Sequence, residues 1–359
     1  MEQNNLLELI RALSNANGAP GFEDDVVQVL REKTAGLDGA DLQEDAMRNL
    51  YCRLKSTEGK PTVMLDAHTD EVGFMVRAIH PNGTLRFITM GGWVPCNIPA
   101  HRVRVRNALG EYVPGIITSK PPHFMTEAER QRVPDPLEMS IDIGARSAEE
   151  AVRDFHIRVG EPVVPDVELT YDEKHDLLMG KAFDCRLGCA ALAETLRRSA
   201  DKDLAVNVVG AFATQEEMGT RGATVTAQVA APDVAIVFEG CPADDTFGEP
   251  YMMQTKLKCG PYLRHVDARM VTNPRFQRFA LDLAAKRGIP VQDGVRTGGS
   301  TNGAPIHLSN GYVPTIVIGV PVRYIHTHYG IASVADVENS VRLACAVLEE
   351  LNGDVIRGF

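Results

Sequence analysis

Beyond about residue 165 the chain alternates between short apolar runs and amphipathic stretches, and that alternation narrows the fold more than any other feature. Residues 184–188 lead into a helical run at 189–198, residues 205–213 lead into Thr214-Gln215-Glu216-Glu217, and residues 234–238 lead into Glu239. Residues 276–286 read as a helix, and the apolar run 315–320 leads to His326. The last segment, 334–351, is amphipathic through Val337, Val341, Ala344 and Leu348, with Ser333 as its expected cap and Asn352-Gly353 as its stop. Near the start, Leu6, Leu9, Ile10 and Leu13 share one helical stripe and Val26, Val27 and Leu30 another, separated by the breaker Gly18-Ala19-Pro20-Gly21. Residues 62–67 then read as a buried strand that delivers His68-Thr69-Asp70 at its C-terminal end. Strand–helix alternation predicts an α/β fold with helices on the faces of a sheet. Such sheets bind ligands beyond the C-terminal ends of their strands. That is where His68, Glu217, Glu239 and His326 fall, with Asp184 just ahead of a helix.

The stretch after residue 72 has another character. Residues 74–79 and 84–88 flank His80-Pro81-Asn82-Gly83, a hairpin turn. Val103 and Val105 alternate with Arg102, Arg104 and Arg106, the period-two pattern of a half-buried strand. Residues 112–118 and 137–143 are further strands, and Ser147 with Glu150 forms a capping box at a helix start. These signals predict a separate, mainly β domain ending near Pro165. At 359 residues the chain is long enough for one large domain and a smaller one.

The net charge is −11, and no block of Lys and Arg stands out, so neither nucleic acid nor an anionic membrane is an expected partner. Met1-Glu2-Gln3-Asn4-Asn5 lacks the basic start of a signal peptide. No apolar run approaches the ~20 residues needed to cross a bilayer. The seven cysteines are an odd number without a C-x-x-C pair, which predicts reduced thiols in a cytoplasmic protein. Cys185 and Cys189 lie near the candidate site, but their spacing fits no common zinc pattern.

Taken singly, a His-x-Asp, a pair of glutamates or an aspartate before a helix says little. Their conjunction carries the argument. Two histidines and three carboxylates (His68, Asp184, Glu217, Glu239 and His326) fall where this fold would gather them. Mixed nitrogen and oxygen ligands suit Zn²⁺, Co²⁺ or Mn²⁺ rather than the all-oxygen cages of Ca²⁺ and Mg²⁺. Two metal ions need a shared ligand, and a carboxylate with two oxygens can bridge them; Asp184 is the expected bridge. Asp70, two residues after His68, points the same way on an extended segment and can accept the second ring N–H of that histidine. Glu216 and Glu217 are neighbours whose side chains must diverge, so that one can bind metal while the other acts as general base. The residues alone leave open which does which.

The stretches Ala67-His68-Thr69-Asp70-Glu71-Val72-Gly73-Phe74, Phe183-Asp184-Cys185-Arg186-Leu187-Gly188, Gln215-Glu216-Glu217-Met218-Gly219-Thr220-Arg221-Gly222-Ala223 and Arg323-Tyr324-Ile325-His326-Thr327 resemble the glutamyl and deblocking aminopeptidases. These are the self-compartmentalising tetrahedral aminopeptidases, some of which carry the name endoglucanase. The resemblance covers nearly the whole chain. It implies an α/β/α catalytic domain with a mixed sheet, formed by residues 1–72 and 165–359. It also implies an inserted, barrel-like β domain at 73–164 used for dimerisation, with dimers that often build hollow dodecamers. It further implies two divalent ions per subunit, zinc or cobalt, with His68 and Glu239 on one, Glu217 and His326 on the other, Asp184 between them and Glu216 as general base. Three positions depart from the family pattern. Glu239 and Asn302 each stand where Asp is common, and His328 adds a second histidine after His326. His328 is read as structural or substrate-facing rather than as a metal ligand. The loop Gly298-Gly299-Ser300-Thr301-Asn302-Gly303 fits no phosphate-binding pattern and is read as backbone lining the cleft.

The expected activity is metal-assisted hydrolysis of the first bond of short, unfolded peptides, in a homo-oligomer. Three rivals remain: an endoglucanase-type glycosidase, which needs two carboxylates and no metal; a di-metal deacylase acting on N-acyl substrates; and a catalytically silent shell.

Overall fold

The structure, a computed structural model, describes residues 2–359; the beginning of the signal-peptide reading, at Met1, lies outside them. The largest element is an eight-stranded mixed sheet. Across it the strands run Asp41–Glu44, Leu50–Arg53, Asn207–Ala213, Thr62–His68, Val234–Pro242, Thr315–Val322, Tyr262–Val266 and Gln292–Val295. The four apolar runs read as strands in the sequence form its centre and are mutually parallel, with Ala213 level with His68 and Val237 level with Asp66.

Period-two alternation divides every central strand between two cores. Val63, Leu65, Ile236, Phe238, Ile316 and Ile318 pack on one face, beneath the helices Glu2–Asn15, Asp24–Thr34, Phe183–Ser199 and Val334–Glu350. Met64, Ala235, Val237 and Val317 pack on the other, against Ala223 and Ala227 of the helix Arg221–Ala230. Both faces are covered, so the strands are apolar throughout rather than alternating. Each fully buried Val, Leu or Ile contributes roughly 1.5–3 kcal/mol.

Six further strands close into a barrel, in the order Gly73–Ile79, Leu85–Met90, Ser140–Asp142, Tyr112–Ile117, Arg102–Arg106 and Pro162–Pro165. Its first hairpin is the expected one: Ile79 pairs with Leu85, and the His80 amide donates to the Thr84 carbonyl at 2.8 Å. Gly83 closes the turn at φ +88°, a value that favours glycine. Val103 and Val105 point into the barrel core with Phe74, Phe87 and Ile141.

Some local expectations are corrected. Residues 137–143 are not one strand; a 3₁₀ turn at Pro136–Glu138 precedes the short strand Ser140–Asp142. The Ser147 hydroxyl accepts the Glu150 amide as expected, but the Glu150 carboxylate turns to the Arg146 amide, so the reciprocal half of the capping box is missing. Ser333 does not cap its helix with its own side chain. Asp176, distant in sequence, takes the Val334 and Ala335 amides at 3.1 Å and the Ser333 hydroxyl. Asn352 caps a further short helix, Gly353–Arg357. The seven cysteines are all free, and among the described residues no helix is long and apolar enough to cross a membrane.

Candidate metal centre

His68 ends its strand, and Asp70 is the next residue on the same side. The His68 Nδ1 lies 3.2 Å from the Asp70 carbonyl oxygen and 3.3 Å from its carboxylate. That carboxylate also accepts the amides of Glu216 at 2.9 Å and Glu217 at 3.0 Å, so one side chain orients the histidine and the glutamate pair together. Asp184 reaches the same place from the start of the helix Phe183–Ser199, where Asp184 and Cys185 leave helical geometry and the peptide between them is cis. Glu239 lies within the strand Val234–Pro242, and His326 lies four residues past Thr315–Val322 with φ +59°.

The seven residues read as ligands, base or orienting carboxylate (His68, Asp70, Asp184, Glu216, Glu217, Glu239 and His326) meet here. His68 Nε2 sits 3.2 Å from Asp184 Oδ1 and 3.1 Å from Glu239 Oε1. His326 Nε2 sits 3.1 Å from Asp184 Oδ2 and 3.5 Å from Glu217 Oε1. Potential ligand atoms of His68, Asp184 and Glu239 lie within 4.8 Å of one another, as do those of Asp184, Glu217 and His326, and those of His68, Glu216 and Glu217. Cys185 falls into the first of these groups, but its thiol donates to the Phe238 carbonyl at 3.3 Å and burial keeps it protonated well above the usual range. Cys189 donates to the His68 carbonyl.

The electrostatics are those of a crowd of acids short of cations. Burial, opposed by His68 and reinforced by Asp70 and Asp184, lifts the Glu216 carboxyl to about 7. Burial lifts Glu217 to about 8 against the pull of His326, and it pushes Glu239 well above its ordinary value. Burial also works against Asp184, but hydrogen bonds from His326 and His68 outweigh it and hold that carboxylate well below the usual range. Despite burial, Asp184 and Glu217 raise His326 to about 10, and His68 is likewise raised by Glu239 and Asp184. Two buried carboxylate oxygens, Glu217 Oε1 and Glu239 Oε2, have no hydrogen-bond partner. Orphaned acceptors beside two imidazoles and an excess of carboxylates fit divalent cations in this donor set.

A cavity of about 640 Å³ opens over the cluster. Glu216 lines it, whereas Glu217 turns into a smaller recess beside Val72 and His326, so the neighbouring glutamates diverge. Gly298, Gly299 and Ser300 of the glycine-rich loop line the cleft, whereas Thr301, Asn302 and Gly303 are buried and do not. Asn302 is not among the lining residues; its Nδ2 donates to buried Asp66 at 2.7 Å. His328 is buried and stacks on His101 at 4.0 Å. Burial, with His101, pushes it down to about 3, so it stays neutral and apart from the acids. The sequence reading missed Trp93, Arg264 and Arg296, which also line the cavity. It missed Glu23 too, whose carboxyl takes the Gln215 amide at 3.1 Å and is lifted by burial to about 8. None of these carries a local motif.

A mixed sheet covered by helices on both faces that gathers imidazoles and carboxylates into one cluster defines a class: an α/β/α protein with a candidate metal-binding site. Residues 48–343 match the M42 glutamyl aminopeptidase family. The glutamyl aminopeptidase of Lactococcus lactis subsp. cremoris is 31% identical over 353 residues, which cover 98% of each chain. The TET aminopeptidase from the marine sediment archaeon Thaumarchaeota archaeon SCGC AB-539-E09 has a TM-score of 0.94 at 36% identity, over 99% of each chain. The Pyrococcus horikoshii TET1 peptidase, which can assemble into a tetrahedron or a large octahedral shell, has a TM-score of 0.86 at 28% identity, over 96% of this chain and 100% of that one. The chain belongs to the M42 glutamyl aminopeptidase family and is an aminopeptidase.

Proposed function

We propose that the chain removes N-terminal residues from short peptides with two divalent metal ions that share Asp184. His68 and Glu239 complete one ion's ligands, Glu217 and His326 the other's, and zinc or cobalt suits the donor set. The observation that carries this reading is the division of one carboxylate: Asp184 Oδ1 faces His68 and Oδ2 faces His326. When bound, such a pair of ions polarises a scissile carbonyl and lowers the pKa of water toward neutrality. Glu216, which lines the cavity, accepts the proton of the attacking water and returns it to the leaving amine. Asp70 acts as a positioning residue for both His68 and the Glu216–Glu217 pair. The free α-amine of the substrate would ligate a metal ion or pair with a carboxylate, which restricts cleavage to N-termini.

In this reading residues 73–164 form an inserted domain through which two chains associate. Exposed apolar side chains on it, including Phe124 at 73% and Ile116 at 51%, offer a surface for that contact. The shells of the Pyrococcus horikoshii relative make a larger assembly of such dimers the expected end state. Free cysteines suit a reducing compartment such as the cytoplasm.

A panel of aminoacyl anilides, free and N-acetylated, hydrolysed by metal-loaded and EDTA-treated protein, tests the reading. The expected result is cleavage of free substrates only, lost on chelation and restored by added metal. Hydrolysis of blocked substrates would instead indicate a deacylase, and glucan hydrolysis surviving EDTA would indicate a glycosidase.

A further inference from the structure

We propose that the barrel completes the catalytic centre: its Gly91-Gly92-Trp93 turn is a positioning element for His326. The inference rests on the di-metal reading above and adds a division of labour within it.

The two imidazoles are held in different ways. His68 is buried at the end of a sheet strand, and its Nδ1 meets Asp70, two residues further along. His326 sits on a loop, its side chain 36% exposed, with φ +59° at its own position and φ +61° at Tyr324. Nothing in its own strand fixes its ring. The partner of His326 Nδ1 is the Gly92 carbonyl, at 3.0 Å, which follows the barrel strand Leu85–Met90. Donation from Nδ1 to that carbonyl leaves the Nε2 lone pair facing Asp184 and Glu217, the tautomer a ligand needs.

The turn fits these residues closely. A Cβ at Gly91, whose φ is +81°, would lie 2.9 Å from Glu217 Oε2, and a Cβ at Gly92 would lie 3.2 Å from His326 Nδ1. Trp93 anchors the turn. Its indole N–H donates to the Gly73 carbonyl at 3.1 Å, and its ring stacks on Phe74 at 4.6 Å. The same ring meets His328 at 5.0 Å, and His328 stacks in turn on His101 of the barrel. The segment from His326 to His328 is therefore gripped at both ends by barrel residues. No comparable barrel contact reaches His68 or Glu239 among the described hydrogen bonds.

Stepwise zinc titration of the full-length, metal-stripped protein tests this, with a chromophoric chelator as competitor. His326→Ala and His68→Ala first identify which binding step belongs to which half. Gly92→Ala, which adds one methyl beside Nδ1, and Trp93→Leu, which removes the anchor, are then compared with the wild type. The expected result is a loss of about 10–100-fold in affinity at the His326 step, the usual effect of disturbing a ligand's hydrogen-bond partner, with the His68 step unchanged. Equal weakening of both steps, or no change in either, would overturn the proposal. Should Trp93→Leu not fold, Gly92→Ala decides alone. A wild-type protein that binds fewer than two ions sinks the di-metal reading and this inference with it; two ions without the split sink the inference only.

Discussion

The central sheet and the barrel are built from similar apolar strands but expose chemistry in different ways. In the sheet, helices cover both faces, so a polar side chain in mid-strand has nowhere to go. Asp66, fully buried on the His68 strand, shows the cost: it needs the Asn302 amide, and burial still lifts its carboxyl to about 7. Polar groups collect instead at the strand ends, which share one edge, and there they crowd into a site. In the barrel only one face is covered. Val103 and Val105 point inward, while Arg102 is mostly exposed and Arg104 pairs with Asp166. Its charges are spread over the outside, and its contribution to the site is a turn, a carbonyl and an indole. A sheet buried on both faces concentrates charge; a barrel disperses it.

The contrast predicts effects of graded size. Removing the base from the sheet's site should cost most. Glu216→Gln should lower turnover by roughly 10²–10⁴-fold, the usual worth of a positioned proton acceptor, with metal content kept. Wild-type turnover in this variant would assign the base elsewhere. Next comes the buried ion cluster behind the site. Glu71, Lys181 and Arg186 are each at most 1% exposed, Lys181 Nζ donates to Glu71, and the Arg186 Nε donates to the Thr69 carbonyl at 2.8 Å. Glu71→Gln leaves two cations buried without their carboxylate and should destabilise by about 3–5 kcal/mol. Denaturant unfolding measures this, and a change within experimental error would mean that water reaches the cluster.

A smaller effect follows from pH. In the metal-free site burial lifts Glu216 to about 7 and Glu217 to about 8, while His326, raised by Asp184 and Glu217 against burial, titrates at about 10. All three lie above their ordinary values of 4.5 and 6.5. The folded site therefore holds protons that the unfolded chain releases, and this contribution to stability is lost as pH rises from the ordinary values of 4.5 and 6.5 to the folded ones of about 7 to about 10. Bound cations replace those protons, so the Tm difference between metal-loaded and chelated protein should widen from about pH 6 to about pH 9. A difference independent of pH would contradict this protonation pattern. The smallest effect belongs to the barrel surface. Phe124→Ser should change stability by no more than about 0.5 kcal/mol and leave turnover per chain unaltered, yet shift the assembly toward smaller species in analytical ultracentrifugation. An unchanged distribution would move the association surface away from Phe124.

Legibility in the sequence followed the range of the forces. The central strands could be read because burial on both faces leaves continuous apolar runs, and each run ended next to a residue of the site. The His80–Gly83 hairpin and the Val103–Val105 alternation were likewise local signals. Asp41–Glu44 was not legible: its four residues are half exposed and carry no apolar pattern, and they become a strand only by pairing with Leu50–Arg53. The three-stranded sheet of Thr170–Asp172, Leu177–Gly180 and Gly330–Ala332 joins segments about 150 residues apart, and Asp176 caps a helix across a similar gap. Within the site, residue types with metal chemistry stood out. Gly92 acts through its carbonyl and Trp93 through its indole N–H and ring, and neither use leaves a mark in a sequence.

The central claim is that two cations share Asp184, and anomalous scattering from zinc-loaded crystals tests it most directly. The account predicts two peaks about 3.5–4 Å apart, one between His68 and Glu239, the other between His326 and Glu217, with the carboxylate of Asp184 between them. A single peak, or a pair to which Asp184 contributes no oxygen, would contradict it.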